Sequence, residues 1–120
     1  MGTIIQWIIV LAIIIYIASR FMPVKGIENI TATQAKQKCK DKNVQFIDVR
    51  TPGEYQRNHR KPFQNIPLYE LKQRSSDLSK DRETVVICQS GLRSAKAAKI
   101  LKKQGFRNIS NVKGGMSAWL

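Results

Sequence analysis

The chain opens with "MGTIIQWIIVLAIIIYIASRFM", and this run limits what the rest can do. No Asp, Glu, Lys or Arg precedes Arg20, and Gln6 is the one strongly polar residue between Ile4 and Ala18. The apolar stretch reaches the lower limit of about 17 residues for a helix that crosses a bilayer. Trp7 and Tyr16 lie towards its two ends, where amphipathic rings favour the interface. A buried core helix would keep a polar face, and isoleucines on all sides leave none. A cleaved signal peptide would carry a basic start and small residues at a cleavage site, and "IASRFM" fits poorly. The expectation is an uncleaved anchor that meets membrane lipid through residues 3-19. Arg20, Lys25, Lys36 and Lys38 follow the span, so the positive-inside rule places the C-terminal part on the cytoplasmic side of a single-pass cell-membrane protein. The division is then 1-22 for the anchor and its flank, 23-29 for a linker marked by Pro23 and Gly26, and 30-120 for one soluble domain.

Every charged side chain follows the span, so the whole formal net charge of +13 lies on its C-terminal side. Such a charge suits anionic lipid, small anionic substrates or nucleic acid. Nucleic acid is not expected, because aromatic content is 8% and no recognition motif occurs. Cys39, Cys88 and a single histidine cannot make a disulfide framework or a zinc motif, so neither metal nor cofactor is expected. Free thiols of this kind suit a reducing compartment.

The soluble part reads as alternating α/β. Thr31 or Thr33 opens a helix in "NITATQAKQKCK". "VQFIDVR" (Val44–Arg50) reads as a strand, and a short helix follows around Glu54 to Arg57. "QNIPLYEL" reads as a short strand and a helix start at Tyr69–Leu71. "SSDLSKDRE" is a polar loop, and "TVVIC" a buried strand. From Leu92–Ser94 a helix runs with Ala95, Ala97, Ala98, Ile100 and Leu101 on one side and Lys96, Lys99 and Lys103 on the other. Gly105 stops it. "RNISNV" supplies a last strand, and "KGGMSAWL" a turn and a terminal helical turn. Alternation of this kind implies a mainly parallel sheet, which binds ligands beyond the carboxyl ends of its strands.

Cys88 stands at such an end. A cysteine finishing a core strand is ordinarily a small buried hydrophobe. Here, however, it faces a loop of Gln89, Ser90, Gly91, Leu92, Arg93 and Ser94 that leads into a helix N-terminus. Unpaired helix N–H groups and a nearby cation stabilise a thiolate and make it nucleophilic. Gly91 allows consecutive N–H groups to turn inward as an anion nest. The same cradle suits a thiolate, a persulfide or a phosphate ester.

Four ordered segments resemble the rhodanese family of sulfurtransferases, from about Ile30 to Leu120. "FIDVRTPGEY" (Phe46–Tyr55) is similar to D-V-R-x-x-x-E-[FY]. "HRKPFQNIPL" (His59–Leu68) has the length of H-I-P-G-A-x-N-I-P and keeps His59, Asn65, Ile66 and Pro67. "CQSGLRSAKAA" is similar to the C-x-x-G-x-R-S-x-x-A active loop, and "GGMSAW" to the closing G-G-x-x-x-W. The resemblance implies a five-stranded parallel sheet flanked by helices, here preceded by one transmembrane helix. It implies that Cys88 takes a sulfane sulfur from a donor such as thiosulfate or a persulfide and passes it to a thiol, including a protein thiol, or to cyanide. Arg93 would hold an anionic donor or steady the persulfide, unless a carboxylate claims it. Asp48, Arg50 and Glu54 would form a supporting ion-pair network under the loop. His59 and Trp119 would be structural, and Cys39 a core or half-buried thiol.

The family's six-residue loop, here Cys88 to Arg93, goes with sulfur transfer. A loop one residue longer goes with phosphatase or arsenate reductase activity, which this chain therefore does not favour. One departure stands out: Arg60, Lys61, Pro62 and Phe63 replace I-P-G-A. This is a basic, bulkier turn, placed to reshape the approach to Cys88 or to offer a docking patch. A catalytically idle docking module at the membrane is the alternative reading.

Overall fold

A computed structural model describes residues 2–21 and 26–119. Helix α1, Gly2–Phe21, has 20 residues, about 30 Å at 1.5 Å per residue. Its window Gly2–Ser19 has mean hydropathy 2.2 and no buried side chains. Among the described residues it is the one helix long and apolar enough to cross a membrane. Pro23 and Lys25 of the expected linker lie outside the described residues.

The remaining elements are β1 (Ile27–Ile30), α2 (Ala32–Lys38), β2 (Gln45–Asp48), α3 (Pro52–Arg57), β3 (Gln64–Asn65), α4 (Leu68–Arg74), β4 (Thr84–Ile87), α5 (Leu92–Lys103) and β5 (Ile109–Val112). The five strands form one sheet in the order β1-β5-β4-β2-β3, and every pairing is parallel. This is the expected architecture. One boundary moves. Residues 27–29, expected in the linker, form most of β1, paired from Ile27↔Ile109 to Ile30↔Val112. "IENI" has too little apolar sequence to read as a strand, and its pairing to the other end of the chain supplies what composition does not.

Alternation along the strands builds two core layers. Phe46, Val85, Ile87 and Val112 point to one side, where they meet Ala35, Met116 and Trp119. Ile47, Val86, Cys88 and Ile109 point to the other, beneath α4 and α5, where they meet Leu71, Ala97, Ala98 and Leu101. Both faces are covered, so β2, β4 and β5 are buried throughout. Cys88 therefore points towards α5, and the α5 N-terminus stands over it.

Local chemistry sets the helix starts. Thr31 and Thr51 each accept the N–H three residues on, from Gln34 and Glu54, and those side chains accept the threonine N–H in return. Of the two candidates for the first cap, Thr31 is used. Gly105, at φ 96°, ends α5.

Within the Arg60–Phe63 turn Lys61 and Pro62 are exposed and Arg60 is half-buried, while Phe63 turns inward. Phe63 is 3% exposed and packs edge-on against Phe46 at 5.2 Å and Trp119 at 5.6 Å. It lies in the layer opposite Cys88, where it fills core. The Phe63 carbonyl accepts the Tyr55 hydroxyl at 2.7 Å, and Arg60 donates to Asn58 Oδ1 at 2.8 Å.

Phe63→Ala is expected to cost about 3–5 kcal/mol, the range for emptying a buried aromatic site. Tyr69→Ala, at a side chain 73% exposed, should stay within about 0.5 kcal/mol of wild type. Urea midpoints of the detergent-solubilised chain report both values.

Candidate active site

Cys88 follows β4 and has no exposed surface. Its sulfur accepts the Gly91 N–H at 3.0 Å and lies 3.3 Å from the Ser94 hydroxyl. Burial pushes the thiol pKa up, being the largest single influence. It is outweighed by four hydrogen bonds: the Ser94 hydroxyl and the N–H groups of Ser94, Gly91 and Ser90. The thiol therefore lies below the ordinary value of 9.0. Burial alone raises the pKa of Cys39, which caps α2 and has no such cradle.

The loop bends inward because Gly91, the N-cap of α5, adopts φ 102°. A Cβ there would also press on the Gly114 N–H at 3.3 Å. A second turn holds the loop from outside. The Met116 N–H donates to the Cys88 carbonyl at 2.8 Å, and the Ser117 N–H to the Gln89 carbonyl at 3.0 Å. Gly115 makes that approach possible, because a Cβ on it would lie 2.2 Å from the Cys88 oxygen. Gln89 and Ser90 are exposed on the rim, and Leu92 is 77% exposed beside them. The Gln89 side chain reaches the Ser117 hydroxyl at 3.3 Å.

The expected network of Asp48, Arg50 and Glu54 divides in two. Asp48 and Arg50 form a buried pair, with Nη2 to Oδ2 at 2.8 Å and Nε to both carboxylate oxygens at 3.0 Å. Arg50 also donates to the Asn58 carbonyl at 2.5 Å, and the Asn65 amide donates to the Asp48 and Arg50 carbonyls. This lock fixes the end of β2. Glu54 belongs to a different pair: Arg93 donates to its two oxygens at 2.7 and 2.9 Å. Arg93 is thus claimed by a carboxylate and is not in contact with the sulfur. It still faces the loop electrostatically, since its own pKa is raised chiefly by Glu54 and less by Cys88 and Asp48. His59 is structural, with Nδ1 at 2.8 Å from the Tyr55 carbonyl and its ring stacked on Tyr55. Trp119 is buried against Phe63.

Sequence reasoning missed Asn111 and Asn29. Ser94 donates to Asn111 Oδ1 at 2.5 Å, while the Asn111 amide reaches Asn29 Oδ1 at 3.3 Å and the Gly91 carbonyl at 3.4 Å. The signal available was an asparagine in the middle of "NISNV", a buried strand that should be apolar. A hydroxyl has one hydrogen. With the thiol protonated, Cys88 donates to Ser94 and Ser94 donates to Asn111. With the thiolate formed, Ser94 is the hydroxyl that can turn to the sulfur. The arrangement suits a thiolate or a slightly larger sulfur anion. Among the described residues no group of three or more His, Cys, Asp or Glu could hold a metal ion.

The family described as rhodanese-like domain matches residues 31–120. The uncharacterized protein YqhL of Bacillus subtilis is 36% identical over 119 residues, 99% of this chain and 94% of that protein. A sulfurtransferase of Allochromatium vinosum is 32% identical over 78% of this chain and 88% of its own length. The crystal structure of a rhodanese-like domain protein from Staphylococcus aureus superposes with TM-score 0.72 at 32% identity. It covers 78% of this chain and 91% of that one.

Two outcomes follow from the geometry. Arg93 holds the Glu54 carboxyl down to about 2, against an ordinary value of 4.5. A carboxyl depressed on folding stabilises fully above its unfolded pKa, and that contribution fades as pH falls towards the folded one. The stability difference between wild type and Glu54→Gln should therefore be constant above about pH 5.5 and shrink between pH 4.5 and about 2, as read from denaturation midpoints across pH. For the thiol, Ser94→Ala removes one of the bonds that lower the Cys88 pKa. The pH midpoint of Cys88 alkylation, followed by peptide mass, should move upward while that of Cys39 stays fixed.

Proposed function

The chain belongs to the rhodanese-like domain family, and from that premise we propose that it is a membrane-tethered sulfurtransferase working through a Cys88 persulfide. Relatives at about this identity are named sulfurtransferases, and the observation that carries the reading is the cradle itself. Main-chain N–H groups of Ser90, Gly91 and Ser94 converge on one sulfur at the mouth of a parallel sheet.

The proposed reaction has two displacements. The Cys88 thiolate attacks the outer sulfur of thiosulfate or of a donor persulfide. The new S–S bond forms as the old one breaks, and sulfite or the donor thiolate leaves with the electron pair. A thiolate or cyanide then attacks the outer sulfur of the Cys88 persulfide, and Cys88 leaves as the thiolate with which it began. No proton, electron or cofactor is consumed. The loop donors serve both states, because each carries one negative charge on sulfur. Arg93 supplies positive potential at the rim while bound to Glu54, and the six-residue loop matches the family's sulfur-transfer length. Helix α1 holds this chemistry at a membrane, with the domain on the cytoplasmic side.

A second reading, an idle docking module, draws on one observation: Cys88 has no exposed surface. One experiment separates the two. The full chain in detergent is incubated with thiosulfate or a small persulfide, and intact mass is recorded. The sulfurtransferase reading expects a gain of one sulfur atom, removed by cyanide and absent in Cys88→Ser. A folded chain that gains no sulfur from any donor refutes it and leaves the docking module.

A further inference from the structure

All five strands are parallel, so the sheet has one entry end and one catalytic end. Gln45, Thr84, Ile109 and Ile27 stand in mutual register along the entry end. Cys88 lies four residues beyond Thr84, at the other end of the same strand, about 13 Å away at 3.3 Å per residue. The chain comes from α1 into the entry end, because Gly26 immediately precedes Ile27. Gly26 is five residues after Phe21, the last of α1, so its Cα is held within about 19 Å of the Phe21 Cα.

That entry end is basic. The Lys102 ammonium lies so close to Gly26 that any side chain there would collide with it. Lys80 lies alongside Gly105, and its carbonyl accepts the Arg107 N–H at 3.3 Å. The Arg82 guanidinium spreads over the lead-in to β2 and donates to the carbonyls of Lys42 and Asn43 at 2.9 Å. Lys42, Lys80, Arg82, Lys103 and Arg107 are all exposed. The acids among them, Asp41, Asp77, Asp81 and Glu83, are too few to balance this charge. Glu83 is taken by Lys38, and Asp81 meets Arg107 only at 3.8 Å with both side chains 82% exposed. Asp41 caps the Asn43 N–H. Lys102 and Lys103 also suit their place at the C-terminus of α5, whose dipole favours cations there and anions at Cys88.

We propose that this entry end docks on the anionic headgroups of the bilayer that holds α1, so that the Cys88 loop faces away from the membrane. The proposal rests on reading α1 as an anchor. The tether sets which end lies near the lipid, and the cations on that end supply the attraction, each worth most within a Debye length of the surface. The catalytic end is left open to soluble donors and to thiols on other proteins.

The test compares the two ends of one strand. Asn108 precedes β5, Lys113 follows it, and both are exposed. In a Cys39→Ser, Cys88→Ser background, Asn108→Cys and Lys113→Cys are labelled separately with a fluorophore. The full chain is reconstituted in phosphatidylcholine vesicles with or without phosphatidylglycerol, and quenching by a headgroup nitroxide lipid is measured. The expected result is stronger quenching at position 108 than at 113 when phosphatidylglycerol is present. That bias should be lost in pure phosphatidylcholine, in Lys80→Glu/Lys103→Glu/Arg107→Glu, and on raising salt from about 0.1 M to 1 M, where the Debye length falls from about 10 to 3 Å. Equal quenching at the two positions, or a bias indifferent to phosphatidylglycerol and salt, overturns the docking. Alkaline carbonate extraction identifies which premise failed. A chain that stays in the pellet without the bias is anchored but not docked, whereas a released chain overturns the anchor and the docking with it.

Discussion

The close contact between the Gly114–Gly115 turn and the Cys88 loop decides the chemistry. A peptide group that turns its carbonyl one way turns its N–H the other. The carbonyls of Cys88 and Gln89 are drawn outward to the N–H groups of Met116 and Ser117. The N–H that shares a peptide with the Gln89 carbonyl, that of Ser90, then faces the sulfur, and the Gly91 N–H joins it at 3.0 Å. No side chain can take the position of Gly115 without displacing the Cys88 carbonyl. The last residues of the domain thus set the electrostatics of a thiol 27 positions earlier in the chain.

That electrostatic balance is a contest between burial and hydrogen bonding. Burial alone would raise the Cys88 pKa, as it does for half-buried Cys39. The Ser94 hydroxyl and the main-chain donors together reverse the sign, without a cation in contact with sulfur. Arg93 satisfies Glu54 at the surface, with the Arg93 side chain 36% exposed, so solvent moderates that pair. Asp48 and Arg50 are buried and hydrogen-bonded to each other and to main chain, which makes them a structural lock under the loop. The two ion pairs therefore do different work: one fixes the backbone and the other shapes the potential at the rim.

Much of this was legible in the sequence because the signals are local. A β-branched run ending at Cys88, a glycine, and a helical stripe from Leu92 define strand, loop and helix within a few residues of one another. Thr31 reads as one of two candidate caps for the same reason, whereas the Thr51 cap emerges only with the structure. What was not legible depends on contacts distant along the chain. β1 exists because Ile27–Ile30 pairs with β5, and nothing in "IENI" says so. Asn111 acquires its role only through Ser94 and Asn29, which meet it from distant parts of the chain. Phe63 looked like a protruding turn residue until Phe46 and Trp119 closed around it. Arg93 had several carboxylates available in sequence, and only the placement of α3 beside the loop selects Glu54.

The parallel sheet also gives the domain an electrical direction. Helix α5 runs from the thiol to the entry end, so its dipole sets its positive end at Cys88 and its negative end beside Lys102 and Lys103. The arrangement that favours an anionic sulfur at one end favours cations at the other. Chain entry at Gly26 falls on the cationic end because β1 is parallel to the strand that carries Cys88. Separation of the reactive anion from a negatively charged surface therefore follows from strand direction and helix polarity together.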